Sequence, residues 1–165
     1  LKEIVIWMDA NCLRLNAGKT EVLVCGGKSS CMMLFLVARH HGPAAPLKPK
    51  VKNLGVWFDD ILTFDAQTSA LAGKCFGMLR TFGKILHFLP ADAQRTVVHA
   101  LIVAQLDYCN DLYLGAPLRC LQRLQWVQNA AARLLLRLPK RSSISTGLKF
   151  LHWLPVKERI AFKFL

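Results

Sequence analysis

Carboxylates are what this chain has least of. Ten Asp and Glu stand against 22 Lys and Arg, a formal net charge of +12, and none of the ten falls between Leu112 and Lys157. Cysteine is present but unorganised. The six thiols (Cys12, Cys25, Cys31, Cys75, Cys109 and Cys120) form no C-x-x-C pair and have no histidine at a ligand spacing, which argues against a structural zinc or a disulfide framework. Scattered thiols of this kind fit a reducing compartment, so an intracellular location, nuclear or cytoplasmic, is expected. Long apolar runs are also missing. The longest, Cys31 to Ala38, is far short of the ~20 residues that cross a bilayer, so no membrane-spanning helix is expected. The first eleven residues carry Glu3 and Asp9 and do not read as a signal peptide. Gly26-Gly27-Lys28-Ser29-Ser30 lacks the upstream glycine of a phosphate loop, since position 22 is Val.

What is there is hydrophobicity and positive charge together. Hydrophobic residues make up 53% of the 165, ample for a core, and the excess of apolar over buriable surface is what a piece of a larger protein shows. The charge is uneven. Residues 1–60 hold 8 basic and 5 acidic side chains and residues 61–165 hold 14 and 5, so the second part carries the field that attracts an anionic partner.

Periodicity divides the chain in the same place. Leu1 to Asn11 reads as the end of an amphipathic helix, Thr20 to Cys25 and Cys31 to Val37 as strands, His40 to Pro49 as a loop, and Val51 to Phe58 as a third strand ended by Asp59-Asp60. No strand is expected after that. Phe64 to Leu86 reads as a helix weakened by Gly73 and Gly77, Pro90 opens another that runs to about Gln105, and Leu106 to Gly115 is ambiguous. Pro117 opens a long helix, Gly147 to His152 forms a short one, and Pro155 begins the last. The expected class is α+β: a small helix-plus-β lobe over 1–62 and an all-helical bundle over 63–165.

The long helix organises the rest. At about 100° per residue, Arg119, Arg123, Arg133 and Arg137 fall within a sector of roughly 80° that also holds Trp126. Cys120, Leu121, Leu124, Val127, Ala131, Leu134, Leu135 and Leu138 form the adjoining apolar face, while Gln122, Gln125, Gln128 and Asn129 complete the circle. Lys140 and Arg141 follow Pro139 near the negative end of the helix dipole. A solvated face is the ordinary fate of such arginines. With no carboxylate nearby in sequence and an aromatic plane among them, the stripe is expected instead to contact phosphates and to stack on a base or sugar.

Several strings carry a family resemblance. WMDANCLRLNAGKTEVLV (7–24), VKNLGVWFDDILTF (51–64), LDYCN (106–110), LQRLQWVQNAAARLL (121–135) and LHWLPVKERIAFK (151–163) resemble, in order, the reverse transcriptases of non-LTR (LINE-type, jockey-like) retrotransposons. Residues 26–49 do not match. The resemblance implies that residues 1–62 are the last part of a polymerase palm and residues 63–165 the thumb with the helices after it. It implies that Lys19 acts near the incoming nucleotide, as a general acid for pyrophosphate or as a phosphate contact. Asn53 to Val56 resemble the primer-grip strand and turn, with Asn53, Leu54 and Gly55 at the nucleic acid and Gly55 permitting close backbone approach, and the four arginines would track the duplex of an RNA or RNA/DNA template-primer.

Trp57-Phe58-Asp59-Asp60 looks like the catalytic aromatic-x-Asp-Asp hairpin, but it follows the primer-grip string, whereas in the family the hairpin precedes the helix that opens this chain. Asp59 and Asp60 therefore read as strand-ending and turn residues. The magnesium of the implied parent enzyme would be held by carboxylates in the missing fingers and palm of the same polyprotein, and this piece alone would be inactive. A stand-alone basic helical nucleic-acid-binding module and a retrotransposon relic without function remain open alternatives.

Overall fold

The computed structural model describes residues 2–26, 48–139 and 141–164. The strand expected at Cys31 to Val37, and most of the loop from His40 to Pro49, lie outside the described residues. The chain divides into two units, 1–63 and 64–165. It is mostly helical, with one two-stranded antiparallel sheet among the described residues.

The first unit opens with α1 (Lys2–Ala10), whose C-terminal carbonyl at Trp7 accepts from the Asn11 amide side chain at 2.8 Å. Thr20 to Cys25 is not the strand its β-forming residues suggest. Only Val22 makes a bridge, accepting from the Lys48 N–H at 3.0 Å, and an ion pair between Lys48 and Glu21 lies beside it. Val51 to Phe58 is likewise not one strand. It folds back as β1 (Lys50–Asn53) and β2 (Val56–Asp59), with Asn53 opposite Val56, because Leu54 and Gly55 both take positive φ (46° and 88°). Two residues of positive φ make the tight turn whose twist matches a hairpin, and glycine at its second position is the usual choice. Among the described residues of this unit only Val56 and Asp59 are buried.

The second unit is built on two long helices, α2 (Asp65–Ile85) and α5 (Leu118–Leu136), which pack against each other. α2 places Leu71, Cys75 and Leu79 four residues apart on its buried side, and α5 answers with Cys120, Leu124, Val127 and Ala131. Each buried Leu or Val in this seam contributes roughly 1.5–3 kcal/mol. Between them the chain runs as α3 (Ala91–Val98), a π-helical turn (His99–Val103) and α4 (Ala104–Asp107), which together bury Val98, Ile102, Val103 and Leu106.

The ambiguous stretch after Leu106 resolves into a sharp turn. Cys109 takes φ 51° and leads into a 3-10 helix (Asn110–Tyr113) whose Asn110 and Tyr113 are wholly buried. Tyr113 meets Phe64 edge to face at 5.6 Å, and burial pushes its phenol pKa up. α5 begins after Pro117 and stops where Arg137 turns left-handed, two residues before Pro139. Two short helices complete the chain, α6 (Ser145–Phe150) and α7 (Val156–Phe162).

Candidate nucleic-acid interface

The arginine stripe exists, but it is not unpaired. Asp65, in the first turn of α2, takes Arg123 Nη1 at 2.8 Å and Arg119 Nε at 3.1 Å on a single carboxylate oxygen. Arg123 also donates to the Asp65 backbone carbonyl at 3.3 Å. The two guanidiniums, Arg123 foremost, hold the Asp65 carboxyl below its ordinary range. The expectation of arginines without a carboxylate is thus corrected. The partner stands more than fifty residues away in sequence, on the helix that α5 packs against, where the neighbouring stretch of chain gives no hint of it. One Asp offsets one of the two charges, and the Arg119 side chain remains 63% exposed.

The other end of the stripe divides differently. Arg133 is half-buried and reaches back to the carbonyl of Ser142 at 3.4 Å, so it fastens the segment after α5 rather than standing open. Its Nε is buried with no hydrogen-bond partner among the described residues. Arg137 is exposed at the helix end, Arg141 is exposed, and Lys140 lies outside the described residues. Trp126, between the two ends, is 60% exposed. The open part of the face is therefore Arg119, Trp126 and Arg137, with Arg123 and Arg133 serving the fold.

The amide side of α5 is not a plain solvated face. Gln128 is 1% exposed and donates to the Leu154 carbonyl at 2.8 Å. Gln125 donates to Gln128 Oε1 at 2.9 Å and to Asn129 Oδ1 at 2.8 Å, and accepts from the Val156 N–H, also at 2.8 Å. That last bond satisfies one of the free N–H groups at the start of α7. The glutamines thus lock the tail of the chain onto α5.

Beside this seam lies an open groove of about 760 Å³, floored by Leu121, Leu148 and Trp153 and edged by Gln122, Lys149 and Lys157, with Glu158 the one carboxylate in its lining among the described residues. Gln122 stands about 60° around α5 from Arg119, so the groove borders the cationic face. Sequence reasoning did not single out Lys149, Trp153 or Lys157. The signal was present, since all three fall within or at the end of the carboxylate-free run.

The LDYCN string has a structural role. Asp107 accepts from Arg159 of α7 at 2.7 Å and from Asn110 Nδ2 at 3.3 Å, while its backbone carbonyl accepts from Lys163 at 3.1 Å. It clasps the last helix to the middle of the unit.

In the first unit the family-implied positions lie on turns. Lys19 ends a 3-10 turn (Ala17–Lys19) and is exposed; its N–H is received by the Asn16 carbonyl at 3.1 Å and the Asn16 Oδ1 at 3.2 Å. Asn53 ends β1, and Leu54, at the tip of the hairpin, is 82% exposed. The Asp59 carboxylate is buried and receives the N–H of Thr63 at 2.7 Å and its hydroxyl, so it caps the turn that closes β2. No cluster of three or more His, Cys, Asp or Glu capable of holding a metal ion occurs among the described residues.

No protein-family profile matches this chain, and no curated protein or solved structure is significantly similar to it.

Proposed function

We propose that this chain is the carboxy-terminal palm and thumb portion of a LINE-type reverse transcriptase, and that it holds RNA or an RNA/DNA template-primer while the catalytic carboxylates and their magnesium belong to another part of the same protein. The observation that carries the reading is the outer face of α5. Arg119, Trp126 and Arg137 stand open on it, a groove edged by Lys149 and Lys157 runs alongside, and the face comes from the same strings that bear the family resemblance. Phosphate contacts from Arg119 and Arg137 position the strand, Trp126 supplies a flat surface for a sugar or base, and the groove accommodates the strand's edge. Lys19 and the Leu54-Gly55 hairpin tip, both exposed, are the contacts expected nearer the reacting nucleotide.

A second reading has its own support. Residues 64–165 form a compact unit with its own core, as an independent nucleic-acid-binding module requires.

The reading is tested by titrating a labelled RNA/DNA hybrid with the 165-residue chain and with Arg119→Gln/Trp126→Ala. The variant is expected to bind about tenfold more weakly, since it removes one phosphate partner and one stacking surface. Equal affinity refutes the interface. A hybrid preferred over double-stranded DNA supports the polymerase origin; indifference between the two supports the module.

A further inference from the structure

A second pocket adjoins the groove, with His152 and Trp153 lining both, and opens toward α3 and the π-helical turn. It measures about 440 Å³ and lies between α3, the π-helical turn, α6 and the residues just after α6. Leu135 is the residue that α5 contributes, about 160° around the helix from Arg119.

Its lining combines one guanidinium and two imidazoles with flat apolar walls. Arg95 and His99 stand four residues apart, one helical turn, on the same face. His152 enters from the opposite wall, and Phe150 and Trp153 are the aromatic surfaces. Among the described residues no Asp or Glu lines the pocket, and neither Arg95 nor either histidine is in an ion pair. Arg95 stacks over the Phe150 ring, its Cζ 5.8 Å from the ring centroid, which leaves its N–H fork free to receive an anion.

The backbone holds these groups in place. His152 sits at φ 55°, in the left-handed position that closes α6; its N–H reaches the Lys149 carbonyl at 3.0 Å, and the Trp153 N–H reaches that of Leu148 at 2.9 Å. Glycine takes this position at lower conformational cost than any side chain. Here the site carries a histidine, and the same turn sets Trp153 into the wall. On the opposite side His99 opens the π-helical turn, a widening of the helix often found at ligand sites.

We propose that this pocket binds a phosphate monoester carried on a nucleoside, with Arg95, His99 and His152 on the phosphate and the base against Phe150 and Trp153. Three donors converging without a carboxylate select an anion. The aromatic walls and a volume within the ~300–1,000 Å³ range of small-ligand sites select one with a flat apolar part. Two sources offer this chemistry: a free mononucleotide and the 5′-phosphorylated end of a strand. The site does not depend on the reverse-transcriptase reading.

The test uses the full chain and follows the imidazole signals of His99 and His152 by NMR during titration with adenosine monophosphate, adenosine, inorganic phosphate, and a dinucleotide with and without a 5′-phosphate. Both signals are expected to move with the phosphorylated ligands, and adenosine and phosphate alone are each expected to bind about tenfold more weakly than the monophosphate. A monophosphate that binds as well as the phosphorylated dinucleotide identifies the free nucleotide as the source; a dinucleotide that binds about tenfold tighter identifies the strand end. Arg95→Gln/His99→Gln, shown by circular dichroism to be folded, is expected to lose about tenfold in affinity for either. The proposal is overturned if adenosine binds as well as its monophosphate, if the wild-type signals stay still at saturating ligand, or if the folded double variant binds unchanged.

Discussion

The two units differ in whether they have a buried core. Residues 64–165 have one, with Val98, Ile102, Tyr113, Leu124 and Val127 all wholly buried, although Phe88, Leu118, Trp126 and Phe162 of the same unit face out. In residues 2–26 and 48–63 the apolar side chains are, with one exception, half-buried or exposed. Ile6 is 68% exposed, Trp7 60%, Leu54 82% and Ile61 66%, with Val56 the one hydrophobic residue buried among those described. Unit 64–165 therefore has a core of its own, whereas the described part of the first unit does not. Hydrophobic content is high in both, and only burial tells them apart.

The largest expected effect breaks this comparison at its core. Leu124→Ala removes a wholly buried side chain from the seam between α2 and α5 and should cost about 3 kcal/mol, whereas Ile6→Ala should cost less than about 0.5 kcal/mol. Urea denaturation followed by circular dichroism measures both, and similar costs would erase the distinction. Next comes the clasp. Arg159→Ala leaves the partly buried Asp107 without its 2.7 Å partner and should cost about 2 kcal/mol in the same experiment. Loss of α7 protection in hydrogen exchange is the accompanying local sign.

Smaller, and of opposite sign, are the glycines of α2. A Cβ added at Gly73 or Gly77 meets nothing within 4 Å, and both positions are exposed, so Gly73→Ala and Gly77→Ala should each stabilise by about 0.5–1 kcal/mol, seen as a raised Tm.

The smallest effect is the pH dependence of Asp65. Its folded pKa lies below the ordinary value of 3.8, so the contribution of its pairs with Arg123 and Arg119 is present above that value and lost as pH falls through the lower, folded one. Asp65→Asn should flatten the wild-type loss of urea resistance in that acid window and leave the shape of the curve at neutral pH unchanged. A variant curve parallel to wild type throughout would remove Asp65 from the account.

The helices were legible where one residue type set the boundary. Pro117 and Pro139 bracket α5, and Pro155 precedes α7, because proline's missing N–H and fixed φ act locally. The hairpin was not legible in the β-forming pattern, although the family resemblance implied a turn within 53–56. Val51 to Phe58 reads as one continuous β-forming run, and only a non-glycine residue, Leu54, accepting positive φ beside Gly55 folds it in two. Gln128 misled for a different reason: an amide reads as surface, yet here the Leu154 carbonyl and the Gln125 amide satisfy it in the interior. At the site, the face of α5 followed from period alone. Its pairing did not, since Asp65 meets Arg119 and Arg123 only through the packing of two helices.

The central claim is that the open cations of α5 hold a polyanion, and its most direct measurement is the salt dependence of hybrid binding by the 165-residue chain and by Arg119→Gln/Arg137→Gln. Removing one cation from a phosphate should reduce the slope of log affinity against log salt by about 0.9 on a duplex, so the double variant is predicted to lie shallower by roughly 2. Identical slopes for the two proteins, or binding that ignores salt altogether, would contradict it.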